Sequence, residues 1–154
     1  MGNRRRSREL ALQTLYAIDR KKRPENDTRV DEAIGHMSLW VQDEDDDPDM
    51  VESVEDDPDI QAFAAELVRG VVDHLESIDT TLGECSTNWK VPRMALVDRN
   101  VLRLATYELL HIKDIPPRVT LNEAIEVAKR YGSKDSGAFI NGILDRIASM
   151  GKKD

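Results

Sequence analysis

The chain has 154 residues, of which 40% are apolar and 34% charged, and its formal net charge is -8. This length suits one domain, residues 1–154, with a sizeable core. No apolar stretch approaches the ~20 residues of a membrane-spanning helix, and the arginine-rich start lacks the apolar segment of a secretory signal. The single cysteine, Cys85, excludes an internal disulfide and favours a cytoplasmic protein.

The negative charge is concentrated in one segment, residues 43–59, which we call the acidic run. It holds eleven Asp and Glu residues and no Lys or Arg. Without it, 22 basic residues face 19 acidic ones, so the remainder of the chain is slightly basic. Two Asp-Pro pairs, few core-forming residues and strong self-repulsion predict that the acidic run is a solvated, disordered loop.

Arg4, Arg5, Arg6 and Arg8, the arginine cluster, stand at the start of an apolar-periodic segment. Attraction to phosphates depends on charge within a Debye length of about 8–10 Å, so a local cluster matters more than the net charge. Guanidinium groups match phosphate oxygens and stack on unpaired bases. The cluster therefore indicates nucleic-acid binding, and a solubilising basic tail is the alternative.

Apolar periodicity is helical almost throughout, which predicts an all-α bundle of about seven helices. The first helix buries Ala11, Leu15 and Ile18, and a short helix is predicted over residues 30–41. A long helix follows over residues 61–82, in which Gly70 indicates a close helix approach. Another helix is predicted over residues 93–111. The next begins at a capping box at Thr120 and stops at Gly132. The last helix begins at residue 135 or 136.

Catalytic chemistry finds little support in the sequence. His36, His74 and His111 are scattered, Cys85 has no base partner nearby in sequence, and no glycine-rich phosphate loop occurs. We therefore expect no metal, no cofactor and no enzymatic activity. The segment of residues 131–139, the aromatic turn, is a second binding candidate, because Tyr131 and Phe139 flank a short polar turn beside basic residues. A plain turn with Phe139 in the core is the alternative.

Several separated motifs, in the same order, resemble the NusB family of bacterial transcription antitermination factors. The resemblance covers nearly all of the chain except about residues 21–59. The motifs are RRRSRELALQTLY at residues 4–16, VDRNVLRLATYELL at 97–110, NEAIE at 122–126 and FINGILD at 139–145, with Trp89, Arg93, Ile115-Pro116 and Ala128-Lys129.

The resemblance implies an all-helical fold of two packed sub-bundles and an RNA-binding role. Members of the family pair with NusE, a small-subunit ribosomal protein, on the boxA element of ribosomal RNA leader transcripts, and so keep RNA polymerase elongating. It also implies RNA contacts and contacts with NusE at particular positions. The RNA positions are Arg4, Arg5, Arg6, Arg8, Tyr131, Asp135 and Phe139, and the NusE positions are Tyr16 and Asp98.

The sequence departs from the family's pattern in two places. Ala138 stands where a basic residue often precedes the phenylalanine, which puts one phosphate contact in doubt, and the acidic run is longer than expected. Two other functions stay open: an RNA cytosine methyltransferase fragment, against which the missing second domain counts, and a protein-interaction bundle without RNA binding. The sequence does not choose between a monomer and a homodimer.

Overall fold

The computed structural model describes residues 2–20, 57–86 and 90–151, and these residues form only helices and turns. The α-helices are α1 (Gly2–Arg20), α2 (Pro58–Asp73), α3 (Leu75–Cys85), α4 (Leu96–His111), α5 (Pro117–Tyr131) and α6 (Ser136–Gly151), with a 3-10 turn at Val91–Arg93. The all-α prediction is confirmed. The described residues contain six α-helices, against about seven predicted for the whole chain, and the helix predicted over residues 30–41 falls outside them.

The chain divides into two compact units, Met1–Arg69 and Gly70–Asp154. In the first unit, α1 buries the stripe that its periodicity predicts, including Ala11, Leu15 and Ile18. The buried Ser7 hydroxyl donates a hydrogen bond to the Ile60 carbonyl oxygen at 2.8 Å, and this bond joins the start of α1 to the first turn of α2.

Helix α2 begins three residues earlier than the periodicity predicts, because the end of the acidic run supplies its cap. Asp57 Oδ1 accepts hydrogen bonds from the backbone N–H groups of Asp59 (2.9 Å) and Ile60 (3.4 Å). A carboxylate in this position satisfies donors that the first helical turn leaves without partners and complements the helix dipole. The predicted loop is therefore wrong at residues 57–59, which cap and begin α2, and it stays a prediction for residues 43–56, which lie outside the described residues.

The single long helix predicted over residues 61–82 is in fact two helices that meet at His74. His74 has ψ 19°, far from the helical value. The Gly70 carbonyl oxygen accepts hydrogen bonds from the His74 backbone N–H (3.1 Å) and from His74 Nδ1 (2.9 Å). Because Ile78 N–H still reaches the His74 carbonyl at 2.9 Å, backbone hydrogen bonding continues through the break.

In the second unit, α4, α5 and α6 pack against one another, and α3 packs against α4 and α6. Arg103 of α4 is tied to Asp79 of α3 by two hydrogen bonds, Nε to Oδ1 at 2.9 Å and Nη2 to Oδ2 at 2.8 Å. This bidentate geometry pairs a buried guanidinium and fixes α3 on α4.

The predicted capping box at Thr120 is wrong. Helix α5 begins at Pro117, with Pro116 at the cap position and no side-chain cap hydrogen bond. A proline in the first turn has a preset φ and lacks the N–H that would otherwise need a partner, so the helix starts before Thr120. The buried Thr120 hydroxyl instead donates to Glu108 Oε1 at 3.4 Å, between α5 and α4. The predicted stop at Gly132 is confirmed, since α5 ends at Tyr131.

The close approach predicted at Gly70 is confirmed, and it involves Tyr107 of α4. A Cβ at Gly70 would overlap the Tyr107 ring. That ring is also confined by His111, whose ring centroid lies 5.1 Å away in a stacked arrangement, and by His74 at 5.9 Å.

Gly70→Ala should lower the free energy of unfolding by about 1–3 kcal/mol, the usual cost of overpacking, because the confined Tyr107 ring has to move. Urea unfolding measures the change. Gly142→Ala is the matched control, because a Cβ at Gly142 meets nothing within 4 Å. The control should be neutral or stabilising by up to about 1 kcal/mol, as expected at an exposed helical glycine. Equal effects of the two substitutions would contradict the assigned role of Gly70.

The His111 ring should make stability depend on pH. Partial burial, and secondarily the charge of His74, hold the pKa of His111 below its usual 6.5. The unfolded chain therefore binds the proton more readily, so this contribution to stability is complete above pH 6.5 and is lost as the pH falls through the folded pKa. Wild type should lose more unfolding free energy than His111→Gln between pH 7.5 and 5. Parallel pH profiles of the two proteins would exclude this role.

Candidate nucleic-acid interface

The arginine cluster occupies the first two turns of α1, where its members differ in access to solvent. Arg4 and Arg5 are exposed, Arg6 is half-buried, and Arg8 is only 5% exposed. Arg6 Nη1 lies 3.5 Å from Glu9 Oε2, so part of its charge is neutralised within the helix. Arg4 and Arg5 are thus the members most accessible to an outside anion.

Phe63 of α2 lies beneath two members of the cluster. The guanidinium carbon of Arg4 stands over its ring at 4.8 Å from the centroid, and that of Arg8 at 5.9 Å. Both distances are within the range of cation–π attraction. From its sequence position, Phe63 belongs to the apolar stripe of the helix predicted over residues 61–82, and no motif gives it a role at this site. The arginine spacing of one helical turn is compatible with a shared aromatic partner, but the partner lies 55 to 59 residues away in the chain.

The aromatic turn connects α5 to α6 within the second unit. The buried Ser136 hydroxyl accepts the Ser133 backbone N–H at 3.0 Å, and the Ser133 carbonyl accepts the Ser136 N–H at 3.1 Å. Gly132 is required here for space rather than for a left-handed backbone: its φ is -98°, and a Cβ would crowd Ser136 Oγ and the Ala128 carbonyl. These contacts give the turn a defined shape.

The side chains predicted to bind RNA on this turn are all at least partly accessible to solvent. Tyr131 and Phe139 are half-buried, and Asp135 is exposed. The guanidinium carbon of Arg130 lies 5.4 Å from the Tyr131 ring centroid. Phe139 is thus neither a fully buried core residue nor a fully exposed one, and its ring combines packing with an accessible surface. Ala138, where a basic residue was expected, is exposed.

The two predicted partner positions lie in different units. Tyr16 is half-buried on α1, in the first unit, while Asp98 is in the first turn of α4, in the second. Asp98 Oδ1 is buried and has no hydrogen-bond donor among the residues that the structure describes. Asp98 as a whole is half-buried, so its side chain is only partly accessible on the first turn of α4.

Other candidate chemistries find little in the structure. Burial, together with the charge of Glu84, raises the pKa of the Cys85 thiol, which disfavours the reactive thiolate. His74 and His111 are far apart in the sequence, but the fold brings their ring centroids to 4.2 Å of each other. Among the described residues, no three His, Cys, Asp or Glu side chains are grouped for metal binding. None of the described helices is both long enough and apolar enough to span a bilayer.

Comparison with known proteins gives consistent matches over nearly the whole chain. The sequence profile of the NusB family matches residues 5–149. The transcription antitermination protein NusB of Geobacter sulfurreducens is 49% identical over 152 residues, covering 97% of this chain and 96% of that protein. The protein of the same name from Citrifermentans bemidjiense is 47% identical, with 97% and 96% covered.

Solved structures agree with this assignment. T. maritima NusB is 38% identical and has a TM-score of 0.69, with 95% of this chain and 90% of that chain covered. A crystal structure of the antitermination factors NusB and NusE in complex with double-stranded RNA contains a chain 25% identical, with a TM-score of 0.77 and coverage of 97% and 98%. Fold, motif order and relatives together show that this chain belongs to the NusB family, and the relatives named above are transcription antitermination proteins.

Proposed function

We propose that this chain acts in the cytoplasm by binding the boxA element of ribosomal RNA leader transcripts together with a NusE protein, so that RNA polymerase continues elongation. The observation that carries the RNA part is the exposure of Arg4 and Arg5 at the start of α1, beside Arg8. The crystal structure of related NusB and NusE proteins with RNA supports the choice of partners. RNA polymerase is engaged indirectly, through this complex.

Two kinds of contact would hold the RNA. Arg4 and Arg5 supply phosphate contacts, whose strength falls with salt because counterions are released. The aromatic turn supplies stacking and hydrogen bonds from Tyr131, Asp135 and Phe139, which respond less to salt. Arg6 and Arg8, which are less exposed, add positive potential behind the phosphate contacts.

The NusE contact is proposed at Tyr16 and Asp98. The supporting observation is that Tyr16 and Asp98 are each only half-buried, so both residues keep surface that a partner can reach. A NusE protein that also contacts the RNA would make the two binding events reciprocal, so each ligand raises affinity for the other.

A salt series tests the phosphate contacts. Arg4→Ala/Arg5→Ala should weaken binding to a short single-stranded boxA RNA and reduce the slope of log K against log salt by about 1 to 2 units, as expected for two lost phosphate contacts. Fluorescence anisotropy measures both quantities. The control variant Arg93→Ala/Arg118→Ala removes two exposed cations outside the proposed contacts. It should change the RNA affinity and the salt slope only slightly.

Phe139→Leu in the same titration separates stacking from charge. It should weaken binding by about 1–3 kcal/mol while leaving the salt slope unchanged.

Wild-type affinity and slope in the arginine double variant would overturn the role of the cluster. Sedimentation of the free protein at the same concentrations shows whether a homodimer competes with RNA.

A NusE titration tests the partner contact. Asp98→Ala should weaken NusE binding by about 1–2 kcal/mol, through loss of a hydrogen bond to a charged group, and should leave RNA affinity without NusE within twofold. Calorimetry with purified NusE measures the first quantity. Asp145→Ala, which removes an exposed carboxylate from α6, is the charge-matched control. Unchanged NusE affinity for Asp98→Ala would remove Asp98 from the interface.

A further inference from the structure

Phe63 occupies an unusual position for an apolar residue of α2. Its ring is only half-buried, although Ala64, Leu67 and Val68 beside it are fully buried. Two guanidinium carbons, those of Arg4 and Arg8, stand over the ring at 4.8 and 5.9 Å from its centroid. Core packing therefore accounts for only part of what surrounds this ring.

A buried hydrogen bond holds the ring and the arginines in register. Ser7 Oγ donates to the Ile60 carbonyl at 2.8 Å. Ser7 lies between Arg4 and Arg8 in α1, and Ile60 lies one turn before Phe63 in α2. Helix α1 cannot slide along α2 without breaking this bond, so the arginines stay above the same ring.

This arrangement suits an anion-binding surface for two physical reasons. The negative face of an aromatic ring attracts a cation and so offsets the repulsion between the two neighbouring guanidinium groups. A guanidinium group donates hydrogen bonds in its own plane, so contact with a ring leaves N–H edges available to a phosphate. A side chain that is already ordered also loses less entropy when it binds.

We propose that Phe63 is a positioning residue for RNA binding: its ring holds Arg4 in place for a phosphate contact and holds Arg8 nearby as a supporting charge. Phe63 itself does not touch the RNA. This inference rests on the RNA-binding function proposed above.

Nuclear magnetic resonance tests the contact without RNA. In wild type, the side-chain Nε–H and Cδ protons of Arg4 and Arg8 should show ring-current shifts. Phe63→Leu keeps an apolar side chain but removes the ring, so the shifts should disappear, whereas Phe63→Tyr should retain them. Arginine signals that are the same in wild type and Phe63→Leu would overturn the contact, whatever the protein binds.

A double-mutant cycle tests the role in binding. Phe63→Leu should weaken binding of the boxA RNA by about 2- to 5-fold, the effect of one exposed cation–π contact, and Phe63→Tyr should bind as wild type does. In an Arg4→Ala/Arg8→Ala background, Phe63→Leu should have less than about 1.5-fold effect, because the groups through which the ring acts are gone. Circular dichroism verifies that each variant is folded at the assay temperature.

The possible failures are distinguishable. If wild type does not bind RNA, the proposed function fails and this inference fails with it. If the arginine variants lose affinity but Phe63→Leu does not, only the positioning role is overturned. If Phe63→Leu weakens binding equally in both backgrounds, the ring contacts the RNA directly, and the positioning role is again overturned.

Discussion

The hydrogen bond between Ser7 and the Ile60 carbonyl is the constraint on which the arginine surface depends. It joins residues 53 positions apart and is buried. A buried serine hydroxyl without a partner would be costly, so the bond favours one register of α1 on α2. That register places Arg4 and Arg8 over Phe63 and leaves Arg4 exposed to solvent while Arg8 is covered. The charge that the sequence concentrates at one end of the chain is thereby converted into a surface of defined geometry.

Burial divides the arginine cluster into two kinds of residue. Arg4 and Arg5 reach solvent, whereas Arg8 is covered and Arg6 is partly paired with Glu9. Exposed cations respond strongly to salt, while a covered cation is screened less and contributes a steadier local field. Four arginines in five residues therefore do not amount to four equivalent phosphate contacts. In the proposed site, exposed arginines contact phosphates and covered arginines add positive potential. Phe63 lies against one arginine of each kind, Arg4 and Arg8.

The second unit obtains its order from contacts of a different kind. Gly70 leaves space for the Tyr107 ring, and the bidentate pair of Arg103 with Asp79 secures α3 on α4. These contacts support the helices that carry Asp98 and the aromatic turn. Tyr131 ends α5 and Phe139 lies in the first turn of α6, and the hydrogen bonds between Ser133 and Ser136 fix the turn that joins these two helices. Fixed aromatic rings are suited to stacking, since little entropy remains to be lost.

The sequence by itself determined the helical class, most helix positions, the buried stripes and the family, because each of these is encoded in local periodicity and in the order of short motifs. Its errors have a common physical origin. Thr120 has the chemistry of a helix cap, yet its hydroxyl bonds to Glu108 on another helix, and His74 interrupts a helix whose apolar periodicity is continuous. Only the tertiary structure decided these points, together with the burial of Arg8 and the placement of Phe63 beneath the arginines. All of them depend on which atoms from distant parts of the chain come within contact distance, and periodicity along one segment carries no information about that.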